Sequence, residues 1–132
     1  MPHLFVVRGE HRKRQVLLVD DHPLIRQSLR NIMEAYPDFE VIGEAADGEQ
    51  AIALTAQYNP DVVLMDINMP KINGIAATRC IKDRWPHVVV IGLSSQWTPQ
   101  AREALMQAGA VALLHKEDAG EELYPTIKLF AA

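Results

Sequence analysis

Asp66 follows the apolar residues Val62, Val63, Leu64 and Met65, and Pro70 and Asn73-Gly74 come close behind it. A short apolar run bounded by such signals reads as a buried strand. Its lack of alternation suits a parallel strand covered on both faces. Other runs end in the same way. Val16-Leu17-Leu18-Val19 leads into Asp20 and Asp21, the run HVVVIGLSS (87–95) ends in hydroxyls that include Ser94, and AVALLH (110–115) is followed by Lys116. In open parallel sheets, ligands gather outside the carboxyl ends of the strands. These side chains are therefore expected on one edge, facing one another.

Carboxylates brought close together repel, and something must compensate. A hard divalent cation does this best, and Mg²⁺ prefers oxygen ligands while keeping several waters. Lys116 adds a compact cation. A carboxylate can also attack phosphorus to form an acyl phosphate, and phosphoryl transfer needs mainly positioning and charge neutralisation. The expected arrangement has Mg²⁺ held by Asp20 or Asp21 together with Asp66, and the backbone carbonyl of Asn68 completes the metal shell. Lys116 pairs with a second phosphoryl oxygen, and the Ser94 hydroxyl donates to a third.

The segments between the runs have the spacing of helices. Leu24, Ile25, Leu29, Ile32 and Met33 recur as on an amphipathic helix that starts near Pro23 and is stopped by Tyr36-Pro37. EVIGEA (40–45) is a further strand. Asp47-Gly48-Glu49-Gln50 has the form of a capping box, and Asn59-Pro60 stops the helix it opens. Asn73 caps a helix to about Arg84, Thr98-Pro99 opens another, and Gly109 ends that one with positive φ. A last helix is expected over 121–130, with Leu123, Ile127 and Phe130 inward; Pro125 is tolerable only if it falls early in that helix. Strand and helix alternate throughout, which predicts an α/β fold with a parallel sheet and helices on both faces. Residues 1–14 read as an N-terminal tail whose basic residues Arg12, Lys13 and Arg14 are solvated, and 15–132 as one domain.

Composition narrows the function. The 132 residues are 48% apolar, enough for one core and against disorder. A formal net charge of -4 gives no support for nucleic-acid binding by this chain. One cysteine, Cys80, excludes an intrachain disulfide framework, and its expected place is helix packing. No run is long enough to span a bilayer, so no membrane partner is expected and a cytoplasmic setting is the default. His22 is expected to cap or flank the first helix, and Asp21 can serve as a cap as well. Trp97 is expected to be half-buried packing. No Gly-rich loop follows the first strand, which argues against a nucleotide or flavin binder.

The phrases VLLVDDHPLIRQSLR, VVLMDINMPKINGIAAT, VIGLSS and GAVALLHK resemble the receiver domain of two-component response regulators. The combination DDHPLIRQSLR with NGIAATRCIK is most similar to receivers of the LuxR/NarL type. The resemblance implies a flavodoxin-like (βα)5 fold, a doubly wound five-stranded parallel sheet. It implies that Asp66 is the phosphoacceptor, that Asp20 and Asp21 are metal-site acids, and that Ser94 is the switch hydroxyl and Lys116 the invariant lysine. A sensor histidine kinase is the implied donor, a homodimer through helices near the fourth and fifth strands is an implied partner, and DNA is reached only through a helix-turn-helix effector domain that is not in this chain. An isolated receiver fragment or a stand-alone receiver is the expectation. Two residues depart from the family. Leu113 stands where Tyr or Phe is common, so the usual aromatic rotamer change is not expected, and Glu117 stands where Pro often follows the lysine. Two other functions compete. A degenerate receiver would bind partners without phosphorylation. A phosphatase of the haloacid dehalogenase type would want an Asp where Asn68 stands, which counts against turnover.

Overall fold

The computed structural model describes residues 12–69 and 71–131. The strands are β1 (Arg14–Val19), β2 (Phe39–Ala45), β3 (Val62–Asp66), β4 (Val89–Ser94) and β5 (Ala112–His115). The helices are α1 (Pro23–Glu34), α2 (Gly48–Tyr58), α3 (Gly74–Arg84), α4 (Pro99–Ala108) and α5 (Ala119–Phe130), with a 3₁₀ turn at Lys116–Asp118 before the last. All pairings are parallel, in the order β2-β1-β3-β4-β5. This is the expected flavodoxin-like sheet.

Strand periodicity divides the core in two. Val16, Leu18, Val62, Leu64, Ile91 and Leu93 face α1 and α5, where they meet Leu29, Met33, Leu123 and Ile127. Leu17, Val19, Val63, Met65 and Val90 point the other way, toward Ala51 of α2, Ala77 and Ile81 of α3 and Leu105 of α4. Each large side chain so buried contributes about 1.5–3 kcal/mol relative to exposure. β3 is buried at every position because helices cover both of its faces.

Local signals place the helix starts. Asp47 accepts from the Gln50 N–H, and the Gln50 amide oxygen accepts in return from the Ala46 N–H, one residue earlier than the usual reciprocal bond. Asn73 and Thr98 each accept from the N–H three residues on. Gly109 ends α4 at φ 114°, and Asn59 ends α2 in the left-handed region.

Several expectations need correction. Residues 1–11 of the expected tail lie outside the described residues, but Arg14 is not tail: it opens β1, its N–H donates to the Asp38 carbonyl and its guanidinium to the Ala131 carbonyl. Arg12 is exposed and pairs with Asp61 at 3.6 Å. The fourth and fifth strands are shorter than their apolar runs and start at Val89 and Ala112. Leu24 is 83% exposed and Phe130 45% exposed, because each is rotated off the stripe that its helix buries. In α5 that stripe continues from Leu123 and Ile127 to Ala131, one turn on, so Phe130 falls beside it. Asp21 does not cap α1, since His22 holds the N-cap position and no side chain caps there. Pro125 lies inside α5 rather than in its first turn. It leaves the carbonyl of exposed Glu121 without a helical partner, and solvent can satisfy that group.

Gly74 decides how closely α3 approaches the end of β3. A Cβ there would collide with the Asp66 carbonyl and stand 2.6 Å from Ile67 Cα, both backbone atoms that cannot swing away. Gly120, in the first turn of α5, has nothing within 4 Å. Gly74→Ala should therefore lower stability by about 1–3 kcal/mol, and Gly120→Ala should raise it by about 0.5–1 kcal/mol. Urea titrations of the two variants check the opposite signs.

Candidate functional site

The chain leaves β1 for β2 on one side of the sheet and then crosses to β3 on the other. Strand order reverses between β1 and β3, and a crevice forms where their carboxyl ends diverge. Asp20 sits just past β1, its N–H donating to the Ala45 carbonyl at 3.0 Å. Asp66 is the last residue of β3 and pairs with Leu93 of β4. Ser94 ends β4 opposite His115, which precedes Lys116. Strand register thus brings the expected residues to one edge.

Their geometry is close. Lys116 Nζ lies 2.7 Å from Asp20 Oδ2 and 3.4 Å from Asp66 Oδ2. Asp20 is fully buried and Asp66 is 1% exposed. The other oxygens of these acids are held by backbone: Asp66 Oδ1 accepts from the Asn68 N–H at 3.0 Å, and Asp20 Oδ1 from the His22 N–H at 2.8 Å. Asp20 Oδ2, Asp21 Oδ1 and Asp66 Oδ2 are buried and accept no well-aligned hydrogen bond. One ammonium stands against three carboxylates. Burial above all, helped by the Asp20 charge, pushes the Asp66 carboxyl up to about 6, against the downward pull of the Asn68 N–H and the Lys116 ammonium.

Ser94 is fully buried, and its Oγ accepts from the Gln96 N–H at 3.0 Å. The Asn68 side-chain amide reaches the same oxygen only weakly, at 3.5 Å. The hydroxyl proton of Ser94 is therefore left to donate elsewhere. Trp97 is half-buried packing, as expected, but with a specific anchor. Its indole N–H donates to the Leu113 carbonyl at 2.8 Å and its ring stacks on His115. Leu113 itself is buried against Gly92, in the core rather than at the surface. Cys80 is half-buried on α3.

Sequence reading missed two supports. Arg26 of α1 donates to the Asp20 carbonyl at 2.6 Å and to Glu44 of β2 at 2.9 Å, which ties the strand end to its neighbour. Only the Arg26/Arg30 spacing hinted at it, since both guanidiniums meet Glu44. The second is His22. Its Nδ1 lies 2.9 Å from Asp20 Oδ1 and 3.2 Å from Asp21 Oδ1, so the imidazole turns toward the acids. Adjacency in sequence was the available signal. Asp20, Asp21, His22 and Asp66 each offer a ligand atom within 4.8 Å of the others.

Among the described residues, no helix is long and apolar enough to cross a membrane. The family model for the response regulator receiver domain matches residues 16–128. The transcriptional regulatory protein DegU of Brevibacillus brevis is 41% identical over 119 residues, covering 90% of this chain and 50% of that protein. A protein-glutamate methylesterase/protein-glutamine glutaminase of Methanospirillum hungatei is also 41% identical over 107 residues, covering 80% of this chain but 31% of the relative. This chain thus spans half or less of the length of these relatives. The solved structure of a two-component response regulator of the LuxR family from Aurantimonas superposes with a TM-score of 0.84 at 31% identity, over 89% of this chain and 84% of that one. Strand order, the acidic crevice and these matches agree: the chain belongs to the response regulator receiver family, of the LuxR type, whose general function is the Mg²⁺-dependent phosphorylation of an aspartate.

Proposed function

We propose that Asp66 is the phosphoacceptor of this receiver, with a sensor histidine kinase as donor and an attached effector as the output. One observation carries the assignment. Asp66 is the last residue of β3, buried, with an oxygen that accepts no well-aligned hydrogen bond and only a loose 3.4 Å contact to Lys116, whereas the equally buried Asp20 is already held by that ammonium at 2.7 Å.

The donor set fits Mg²⁺. Three buried oxygens without well-aligned hydrogen bonds, one each from Asp20, Asp21 and Asp66, are hard ligands, and the single Lys116 charge near two of them does not balance three carboxylates. Those acids, with the Asn68 carbonyl, would hold the ion. When bound it supplies charge neutralisation on the phosphoryl oxygens.

In the transfer, an Asp66 carboxylate oxygen forms a bond to phosphorus as the phosphorus–nitrogen bond to the kinase histidine breaks, and the departing imidazole takes up a proton. Asp66 must be ionised to attack, and the Asn68 N–H and Lys116 both favour that form. Lys116 is placed to pair with the new phosphoryl charge, and the Ser94 hydroxyl, whose proton is uncommitted, to donate to one of its oxygens. A phosphatase of outside substrates lacks its general acid, because the amide of Asn68 cannot deliver a proton to a leaving group. Coupling to output requires two conformations with different affinity for the phosphorylated site. The effector is the part that would contact DNA, with dimerisation and a cytoplasmic setting as the corresponding expectations for the whole protein.

Three outcomes test this reading. With Mg²⁺ and a small phosphodonor, intact mass should show one base-labile phosphoryl adduct in the native chain and none in Asp66→Asn; no adduct in the native chain would mark a receiver that works without phosphorylation. Lys116→Ala should still take the adduct while losing most of the accompanying change in Trp97 fluorescence. The third outcome is stability against pH. The folded Asp66 carboxyl ionises near 6 against an ordinary 3.8, so the folded state holds its proton more tightly. Stability therefore falls as pH rises between those values. Asp66→Asn removes this penalty, so in metal-free buffer it should be more stable by on the order of 2 kcal/mol above the higher value. That gain should shrink toward zero as pH falls toward the lower one, and thermal melts across this range would show it.

A further inference from the structure

We infer that Asp20, Asp21, His22 and Asp66 form a closed four-ligand site for a borderline transition-metal ion of the zinc class, and that filling it blocks phosphoryl acceptance. The inference rests on the assignment of Asp66 as phosphoacceptor and adds a regulator to that site.

The ligand set is on the page. Each of the four residues offers one ligand atom, and these atoms lie within 4.8 Å of one another. His22 Nδ1 is 2.9 Å from Asp20 Oδ1 and 3.2 Å from Asp21 Oδ1. Ligands about 2.0–2.2 Å from a shared tetrahedral ion stand about 3.4 Å from each other; the His22 contacts already match this, and the wider separations, within 4.8 Å, must close on the ion. Without an ion, the same spacing serves a hydrogen bond. A separate observation points to a ligand: Asp20 Oδ2 and Asp66 Oδ2, on side chains that are 0% and 1% exposed, accept no well-aligned hydrogen bond, and Lys116 brings a single charge to them.

The imidazole changes which ion the site prefers. Mg²⁺ is hard, wants oxygen and keeps waters, so a histidine nitrogen adds little to its binding. Zinc accepts nitrogen and oxygen ligands in a four-coordinate shell, and its sites with four protein ligands are closed. Three carboxylates and one imidazole fill such a shell. Imidazole also raises affinity along the transition series, where zinc stands far above the alkaline earths. A closed shell has no position for a phosphoryl oxygen and commits the Asp66 carboxylate to the ion. Mg²⁺ would also draw on Asp66, but its larger shell keeps exchangeable waters, and a phosphoryl oxygen can take the place of one of them. The His22 side chain is 61% exposed and holds the N-cap position of α1 without a side-chain cap bond, so it can be replaced without disturbing the core.

The test uses the full chain, native and His22→Ala, with His22→Gln as a second variant. Calorimetric titration should show Zn²⁺ binding weakened about tenfold or more in both variants, with Mg²⁺ binding within about twofold of native. Co²⁺ should give a visible absorption band in the native chain that weakens or shifts in the variants. In the phosphodonor assay with excess Mg²⁺, low Zn²⁺ should suppress the adduct in the native chain, and the variants should need about tenfold more. Zn²⁺ held by other histidines appears equally in all three proteins and cancels in the comparison. Equal Zn²⁺ affinity in native chain and variants would overturn the inference, as would tight Zn²⁺ binding that leaves adduct formation intact. Absence of any adduct in Mg²⁺ alone would instead sink the phosphoacceptor assignment, and the calorimetric comparison would still decide whether His22 is a ligand.

Discussion

Mutual repulsion among acids in a buried crevice is the constraint on which this structure turns. Asp20 and Asp66 are almost wholly removed from water, and Asp21 stands beside them. Carboxylates in such a place are expensive unless they are paired or hydrogen-bonded. Backbone N–H groups satisfy one oxygen of Asp20 and one of Asp66, and Lys116 offsets part of the remaining charge. What is left uncompensated is an affinity for positive charge. The same imbalance that weakens the fold favours a cation beside these acids.

The rest of the molecule holds those acids in place against their repulsion. β1 and β3 are neighbours in the centre of the sheet, and helices cover them on both faces. Arg26 grips the Asp20 carbonyl and links it to β2 through Glu44. α3 is pulled close to the end of β3 because Gly74 has no Cβ to keep it away. Each support acts on backbone next to an acid rather than on the acid itself. One oxygen of each of Asp20 and Asp66 is thereby left without a well-aligned hydrogen bond while the chain that carries it is held in place.

The far side of the site is built differently. Ser94 and Lys116 come from β4 and β5, and the link between their loops is Trp97, which bonds to the Leu113 carbonyl and stacks on His115. Leu113 has become a core residue, so the aromatic group in this region belongs to the loop after β4 rather than to β5. Any change at Ser94 that moves its loop must disturb an indole anchored to the edge strand. That gives the two halves of the site a mechanical connection through one side chain.

Much of this was legible in the residues. Apolar runs ending in Asp20, Asp66, Ser94 and Lys116 state both the parallel sheet and the edge where these polar groups gather, because strands covered on both faces must be apolar throughout. Cap residues such as Asp47, Asn73 and Thr98 announce the helix starts, since a side-chain acceptor there satisfies an orphan N–H. Less local properties were not legible. Apolar character did not say that Leu24 and Phe130 would be exposed, because the face a helix buries depends on where its neighbours sit. Nor did it give the depth of Asp66, the absence of hydrogen bonds on its second oxygen, or the turn of His22 toward the acids. By itself the sequence determined which groups arrive at the crevice, through periodicity and local hydrogen bonding. Tertiary packing alone decided how close they stand and how dry they are, because distance and burial belong to elements brought together from the whole length of the chain.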